Sequence, residues 1–326
     1  MMFRRFARCL IFPVCLVSAA AWADDTARDW LTRINHAARM LDYEGVFVYQ
    51  HEARLEAMRI IHKVENGGAR ERLVSLNGAA REIIRDQREV TCYWPDKKAV
   101  MVEYRRAHNQ TFPTILPERP QELGDNYAFE LGNVERIAGR PARLVIVKPV
   151  DQLRYGYHLW ADQETGLLLK ADLLDTQGKV LEQFMFTQIN IGAKIPAAAL
   201  EPGVSRQGMV WHREEDDRPA APTAQAWSAA KLPRGFRLSA HVARQTPMGK
   251  RPVEHLVYTD GLATVSVFVE KRARDGKPAT PGPARMGAVN VLTSHVNGHQ
   301  VTTVGEVPEE TIALIGGSVA PVAKNE

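Results

Sequence analysis

The chain has 326 residues, 45% of them hydrophobic, with 42 Lys+Arg against 38 Asp+Glu and only three cysteines. So small a charge surplus leaves no whole-chain cationic footprint for nucleic acid, and three cysteines exclude a disulfide-built scaffold. The length suits two domains better than one, with enough apolar residues for a core in each.

Arg4, Arg5 and Arg8 open the chain, followed by an apolar run from Cys9 to Ala21 broken only by Pro13 and Ser18, then Ala21-Trp22-Ala23 before Asp24 and Asp25. Positive start, short apolar middle and small-x-small end predict a secretory signal peptide over residues 1–23, cleaved after Ala23. A membrane anchor is the competing reading, but the 13 residues from Cys9 to Ala21 rise only about 20 Å as a helix against a hydrocarbon core of about 30 Å. Three arginines and no acid leave with the leader, so the 303 residues that remain carry 39 basic against 38 acidic groups. Cys9 and Cys15 leave as well. Cys92, in the strand-like run Val90 to Trp94, then has no internal disulfide partner and reads as a small buried hydrophobe rather than a nucleophile.

Trp30, Ile34, Ala37, Ala38 and Leu41 recur at helical spacing from Thr26 onward, with Gly45 just past the end of the pattern. Strand-like text then runs through 45–49, 55–64, 70–76, 81–86, 89–94 and 98–104, with turns at Asn66-Gly67-Gly68 and Asn77-Gly78. A Pro-punctuated loop over 109–124 precedes further strands at 129–137 and 143–147. From Arg154 to Phe186 the chain reads as a three-stranded meander, broken at Glu164-Thr165-Gly166 and Thr176-Gln177-Gly178. About ten strands against one helix predict a sheet so large that it must curl or close, with the helix on its concave side and an apolar trough beside it. The inward half of its aromatic residues, with Leu159, supplies the candidate lining for acyl chains: Phe47, Tyr49, Trp94, Tyr104, Tyr157, Leu159, Phe184 and Phe186. Plain core is the commoner role of any aromatic stripe.

Around Glu201 to Ser228 the text turns to proline, alanine and the acidic run Glu214 to Asp217. Residues 206–228 read as a linker, and the acids as a solvated run rather than a cation site. The layout predicted is a large domain over 24–205 and a small one over 229–326. The small one holds strands at 237–243, 254–258, 263–271, 289–295 and 301–306, hairpin signals at Asp260-Gly261 and Asn297-Gly298, and a short helix from Glu309 behind Pro308. Arg272 to Arg285, rich in Lys, Arg, Pro and Gly, reads as a mobile loop.

Several ordered pieces resemble one family. They are Tyr43 to Tyr49, Arg81 to Arg85, Arg154 to Tyr157, Thr165 to Lys170, Asp172 to Leu174, Leu181 to Phe184, Leu232 to Phe236, Tyr258 to Ala263, Val265 to Phe268 and Val304 to Pro308. In order and spacing they are similar to the RseB/MucB family of periplasmic sigma-factor regulators over essentially the whole mature length. The resemblance implies an α+β, mainly β fold: a large LolA/LolB-like unclosed antiparallel barrel with a helical plug, joined to a smaller sheet with one helix. It also implies binding to the periplasmic part of a transmembrane anti-sigma factor of RseA or MucA type, shielding it from site-one proteolysis, with lipopolysaccharide or lipoprotein acyl chains in the trough. Phe236, Tyr258, Asp260 and Phe268 are the candidate partner contacts in the small domain. Self-association stays open, and no cofactor or metal is expected.

Enzymatic readings find no motif: no nucleophile elbow, no His-Glu-x-x-His, no phosphate-binding glycine loop and no paired-cysteine metal site. His51, His62, His108 and His158 are dispersed. The nearer alternative is a lipoprotein or lipid carrier of LolA/LolB type, which would need the first domain alone.

Overall fold

The structure is a computed structural model describing residues 26–65, 67–105, 116–117, 120–213, 225–245, 252–271 and 280–322. The leader, Asn66 of the first turn, the acidic run Glu214 to Asp217 and residues 272–279 of the basic loop lie outside the described residues.

Helix α1 (Ala27–Met40) starts at a reciprocal capping box. The Asp29 N–H donates to Thr26 Oγ1 at 3.2 Å and the Thr26 N–H donates to the Asp29 carboxylate at 3.1 Å, so two donors that a helix start leaves unpaired are satisfied. Trp30, Leu31, Ile34, Ala37 and Ala38 form its buried stripe.

Twelve strands follow: β1 (Tyr43–His51), β2 (Arg54–Glu65), β3 (Gly68–Ser75), β4 (Glu82–Arg85), β5 (Glu89–Trp94), β6 (Ala99–Tyr104), β7 (Tyr127–Ile137), β8 (Arg140–Pro149), β9 (Gly156–Asp162), β10 (Leu168–Leu174), β11 (Val180–Ile191) and β12 (Val210–Arg213). They form one sheet in the order β12, β6, β5, β4, β3, β2, β1, β11, β10, β9, β8, β7. No ladder joins β12 to β7, so the barrel stays unclosed. Every pairing is antiparallel except β12 with β6. The three-stranded meander is β9, β10 and β11, with Gly166 and Gly178 at φ of 79° and 81° in its turns, where a side chain would be strained. Helix α1 touches β3 on one side and β7, β8 and β10 on the other. Its stripe joins Phe47, Ile60, Leu159, Trp160 and Phe186 in a single core, which makes it the plug of the concave side.

Gly45, the first residue of the strand read over 45–49, lies within β1, where a Cβ would crowd the Gln188 carbonyl oxygen of β11, so the residue serves a close backbone approach. One expectation changes here. Residues 210–213, read as linker, form β12. All four are exposed, so no burial alternation marked them as a strand.

The smaller body contains β13 (Trp227–Ala229), β14 (Arg237–Gln245), β15 (Pro252–Thr259), β16 (Thr264–Lys271), β17 (Gly282–Met286), β18 (Val289–Val296), β19 (His299–Gly305), α2 (Glu309–Gly316) and β20 (Val319–Pro321). Six of these strands form a sheet in the order β14, β15, β16, β19, β18, β17, while β13 and β20 make a ribbon. Helix α2 buries Ile312 and Ile315 against Val265, Val267 and Val301. Strand β17 occupies the end of the segment read as a mobile loop. The Asn297-Gly298 turn is as expected, both residues having positive φ (47° and 75°), as a two-residue hairpin of this hand requires. Asp260-Gly261 turns differently: β15 ends at Thr259 and β16 starts at Thr264, and Asp260 Oδ1 accepts from the N–H groups of Leu262 and Ala263 at 3.0 and 2.8 Å. An aspartate side chain, not a two-residue loop, organises this turn.

Candidate functional site

Side chains in a strand alternate between faces, so register decides what lines the concave side. On β1, Phe47 and Tyr49 face inward, opposite Phe186 and Phe184 of β11. Phe47 meets Phe184 and Phe186 edge-on, with centroids 6.2 and 5.8 Å apart. Met58 of β2, Leu73 of β3, Ile83 of β4 and Ala171 and Leu173 of β10 extend this floor. Above it lies a cavity of about 460 Å³, within the size range of small-molecule sites.

Its walls carry charge. Arg81, Ile83 and Arg85 share the inward face of the β4 segment and all three line the cavity. Arg81 Nη2 donates to Glu56 at 2.8 Å. Deeper in, Arg85 Nε lies 3.1 Å from Glu71, which also stands 3.5 Å from His62 Nε2. Burial pulls the His62 imidazole below its ordinary range, outweighing the pull of Glu71 toward the charged form. The ring of Tyr43 stacks on His62 at 4.6 Å.

The opposite wall belongs to both bodies. Glu182 of β11 accepts from the Tyr49 hydroxyl, and also from the Ala288 N–H of the β17–β18 turn at 3.3 Å. Tyr157 donates to Glu306, just after β19, at 3.4 Å. Both phenols are pushed up, first by burial and then by these carboxylates. Glu306 is more than a third exposed, yet the groups packed around it from both bodies displace part of its hydration. That loss of hydration, followed by the Glu182 charge, pushes its carboxyl up to about 7. A second, more polar hollow of about 620 Å³ adjoins this wall, between Lys179, Glu182, Arg285 and Gly287.

A buried polar joint holds the two bodies together. Arg154, fully buried, places Nε 3.0 Å from Asp260 Oδ2 and donates to Asp151 at 3.0 Å and to the Arg234 carbonyl at 2.6 Å. The Tyr127 hydroxyl donates to the same Asp260 at 3.0 Å. The rings of Tyr127 and Phe236 each lie 5.5 Å from the guanidinium carbon. Farther along, Asn290 donates to the Tyr155 hydroxyl at 3.1 Å and the Gly287 N–H to Glu52 at 2.7 Å.

Models of two family domains match the chain: the MucB/RseB N-terminal domain over residues 26–204 and the MucB/RseB C-terminal domain over residues 221–320. The chain belongs to the MucB/RseB family. The sigma factor AlgU regulatory protein MucB of Pseudomonas aeruginosa is 34% identical over 319 residues, 96% of each chain. The sigma-E factor regulatory protein RseB of Escherichia coli K12 is 27% identical over 323 residues, again 96% of each. Among solved structures, MucB in complex with MucA(peri) is similar with a TM-score of 0.71 at 33% identity, covering 91% of this chain and 99% of that one. MucB alone gives 0.63 at 34% identity, covering 91% and 98%.

The structure brings Phe47, Tyr49, Tyr157 and Phe184 together around the cavity. Phe186 and Leu159 are buried in the core beside it rather than in its wall. Trp94 lines a separate shallow hollow with Leu55, Ser75, Asn77 and Lys97, and Tyr104 ends β6, away from the cavity lining. The expected partner contacts are mostly internal. Phe236, Tyr258 and Asp260 are buried and Phe268 stacks on His255 at 4.3 Å, because apolar positions of β15 and β16 serve the small core and Asp260 serves the joint. In this arrangement the first three are almost wholly covered by the rest of the chain. The charged wall, Arg81, Arg85, Glu182 and Glu306, escaped a reading that sought aromatic residues. Its signal was parity: Arg81 and Arg85 flank Ile83 at even spacing, and Glu182 precedes Phe184 and Phe186 in the same phase.

Proposed function

We propose that this protein works in the periplasm as a binding regulator: it holds the periplasmic segment of a transmembrane anti-sigma factor, shields it from site-one proteolysis, and responds to an amphiphile in the cavity over Phe47 and Phe184. Membership of the MucB/RseB family across both bodies carries the reading, supported by the likeness to MucB in complex with MucA(peri). The role is binding rather than catalysis. Signalling follows from linkage. An amphiphile releases the anti-sigma segment only if it binds the partner-free form more tightly, since a ligand with equal affinity for both forms shifts nothing.

The joint at Arg154 and Asp260 favours the regulator over a carrier of LolA/LolB type, because it commits the smaller body to the larger one through a fully buried pair. The test uses the protein from Asp24 onward and the purified periplasmic segment of an RseA/MucA-type anti-sigma factor from the same organism. Binding by calorimetry and slower cleavage of the segment by the site-one protease are expected. No binding, with cleavage equally fast in its presence, refutes the regulator reading.

A further inference from the structure

The deep end of the cavity holds polar groups that the protein itself does not satisfy. Arg85 has only 7% of its side chain exposed, yet its one partner among the described residues is Glu71. Nε lies 3.1 Å from that carboxylate but outside hydrogen-bonding geometry. Tyr43, fully buried beside the same pair, has a hydroxyl with no partner either. Native proteins rarely leave such groups orphaned, because each carries a desolvation penalty that nothing offsets.

Arg85 lines the cavity, whose remaining floor is Phe47, Met58, Leu73, Ile83 and Phe184. A planar guanidinium in the lining of a largely apolar chamber matches a carboxylate bidentately. We infer that the cavity takes a single-chain carboxylate amphiphile head first, with its carboxylate on Arg85 and its alkyl chain along the Phe47–Phe184 floor toward the mouth beneath Glu306. This rests on the reading of the cavity as an amphiphile site and specifies which amphiphile and which way round. At about 460 Å³ the chamber holds one chain rather than a multi-acyl lipid. The acidic mouth, Glu182 and Glu306, disfavours the opposite orientation with an anionic head at the rim.

The entering carboxylate brings a negative charge close to Glu71. His62 lies 3.5 Å from Glu71, its imidazole held below its ordinary range by burial. The groups facing His62 are Glu71 on β3, Asp42 and Tyr43 at the start of β1, the Leu41 carbonyl and Arg85 on β4.

The test compares dodecanoate with dodecanol, by calorimetry below their aggregation limits, on the protein from Asp24 onward. Dodecanoate binding about tenfold to a hundredfold more tightly is expected, the worth of hydrogen bonds to a charged group. Arg85→Met erases that preference and keeps dodecanol binding. Because this change strands the Glu71 carboxylate, the double variant E71Q/R85M removes both charges together and gives the same readout in a neutral core. Equal binding of the two ligands, or a preference that survives in the double variant, overturns the head-first carboxylate while leaving the acyl chamber standing. Binding of neither ligand overturns both, and the anti-sigma binding assay is untouched by either outcome.

Discussion

Replacing Asp260 by alanine tests whether the buried joint holds the two bodies. Asp260 and Arg154 have no exposed side-chain surface, so the change leaves a guanidinium in a dry interior. Breaking a buried pair from one side costs about 3–5 kcal/mol. The orphaned Tyr127 hydroxyl adds about 1–3 kcal/mol, and two turn hydrogen bonds, from Leu262 and Ala263, add about 0.5–1.5 each. Asp151 and the Arg234 carbonyl remain as partners for Arg154 and reduce the first figure. These terms are not additive, and a net loss of about 3–5 kcal/mol is the expectation. The assay is urea unfolding by tryptophan fluorescence on the wild type, Asp260→Ala, Arg154→Met and the double variant. Trp160 reports on the larger core and Trp227 on the smaller. The double variant, free of a fully buried unpaired charge since Asp151 keeps 29% of its side chain exposed, recovers a large part of the loss, so the cycle shows a coupling of at least about 1.5 kcal/mol. A single-variant loss below about 1 kcal/mol, or a coupling near zero, refutes the assignment of this pair as the joint.

Two further outcomes follow from the same geometry. Glu306 has its carboxyl raised to about 7 in the folded protein from an ordinary value of 4.5. The folded state therefore holds the proton more tightly, and its contribution is fully present below about 4.5 and lost as pH rises through about 7. In thermal melts across pH 4 to 8, Glu306→Gln should remove this slope relative to wild type, and a pH-independent difference between the two proteins sinks the assignment. Gly45→Ala places a methyl group against a backbone oxygen of β11, and a stability loss of about 1–3 kcal/mol is expected on urea unfolding; an unchanged midpoint contradicts the close approach.

Much of the larger body was legible residue by residue. Helix α1 showed itself through Trp30, Ile34 and Ala37 at helical spacing from Thr26 onward, and β9 to β11 through alternation punctuated by Gly166 and Gly178. Half of the expected trough lining, Phe47, Tyr49, Tyr157 and Phe184, does surround one cavity, because strand parity carries facing information even without register. Trp94 and Tyr104 fell elsewhere because β5 and β6 lie toward the far edge of a curved sheet, and local alternation does not report curvature. Strands β12 and β17 went unread because nearly all of their residues are exposed, so neither had a buried phase to betray it.

Local chemistry by itself thus determined the mainly β character, helix α1 and the turns at Gly166, Gly178 and Asn297-Gly298, since turn glycines and alternation act over a few neighbouring residues, while the family was legible through the resemblance of its ordered motifs. Only the tertiary structure decided that Asp260, read as a hairpin residue, would meet Arg154 in a water-free joint, and that Arg85 would be left facing an apolar chamber. Those meetings depend on how two distant sheets curve and dock. The strength of a buried charge depends on the groups that surround it in space, and their order along the chain does not encode that.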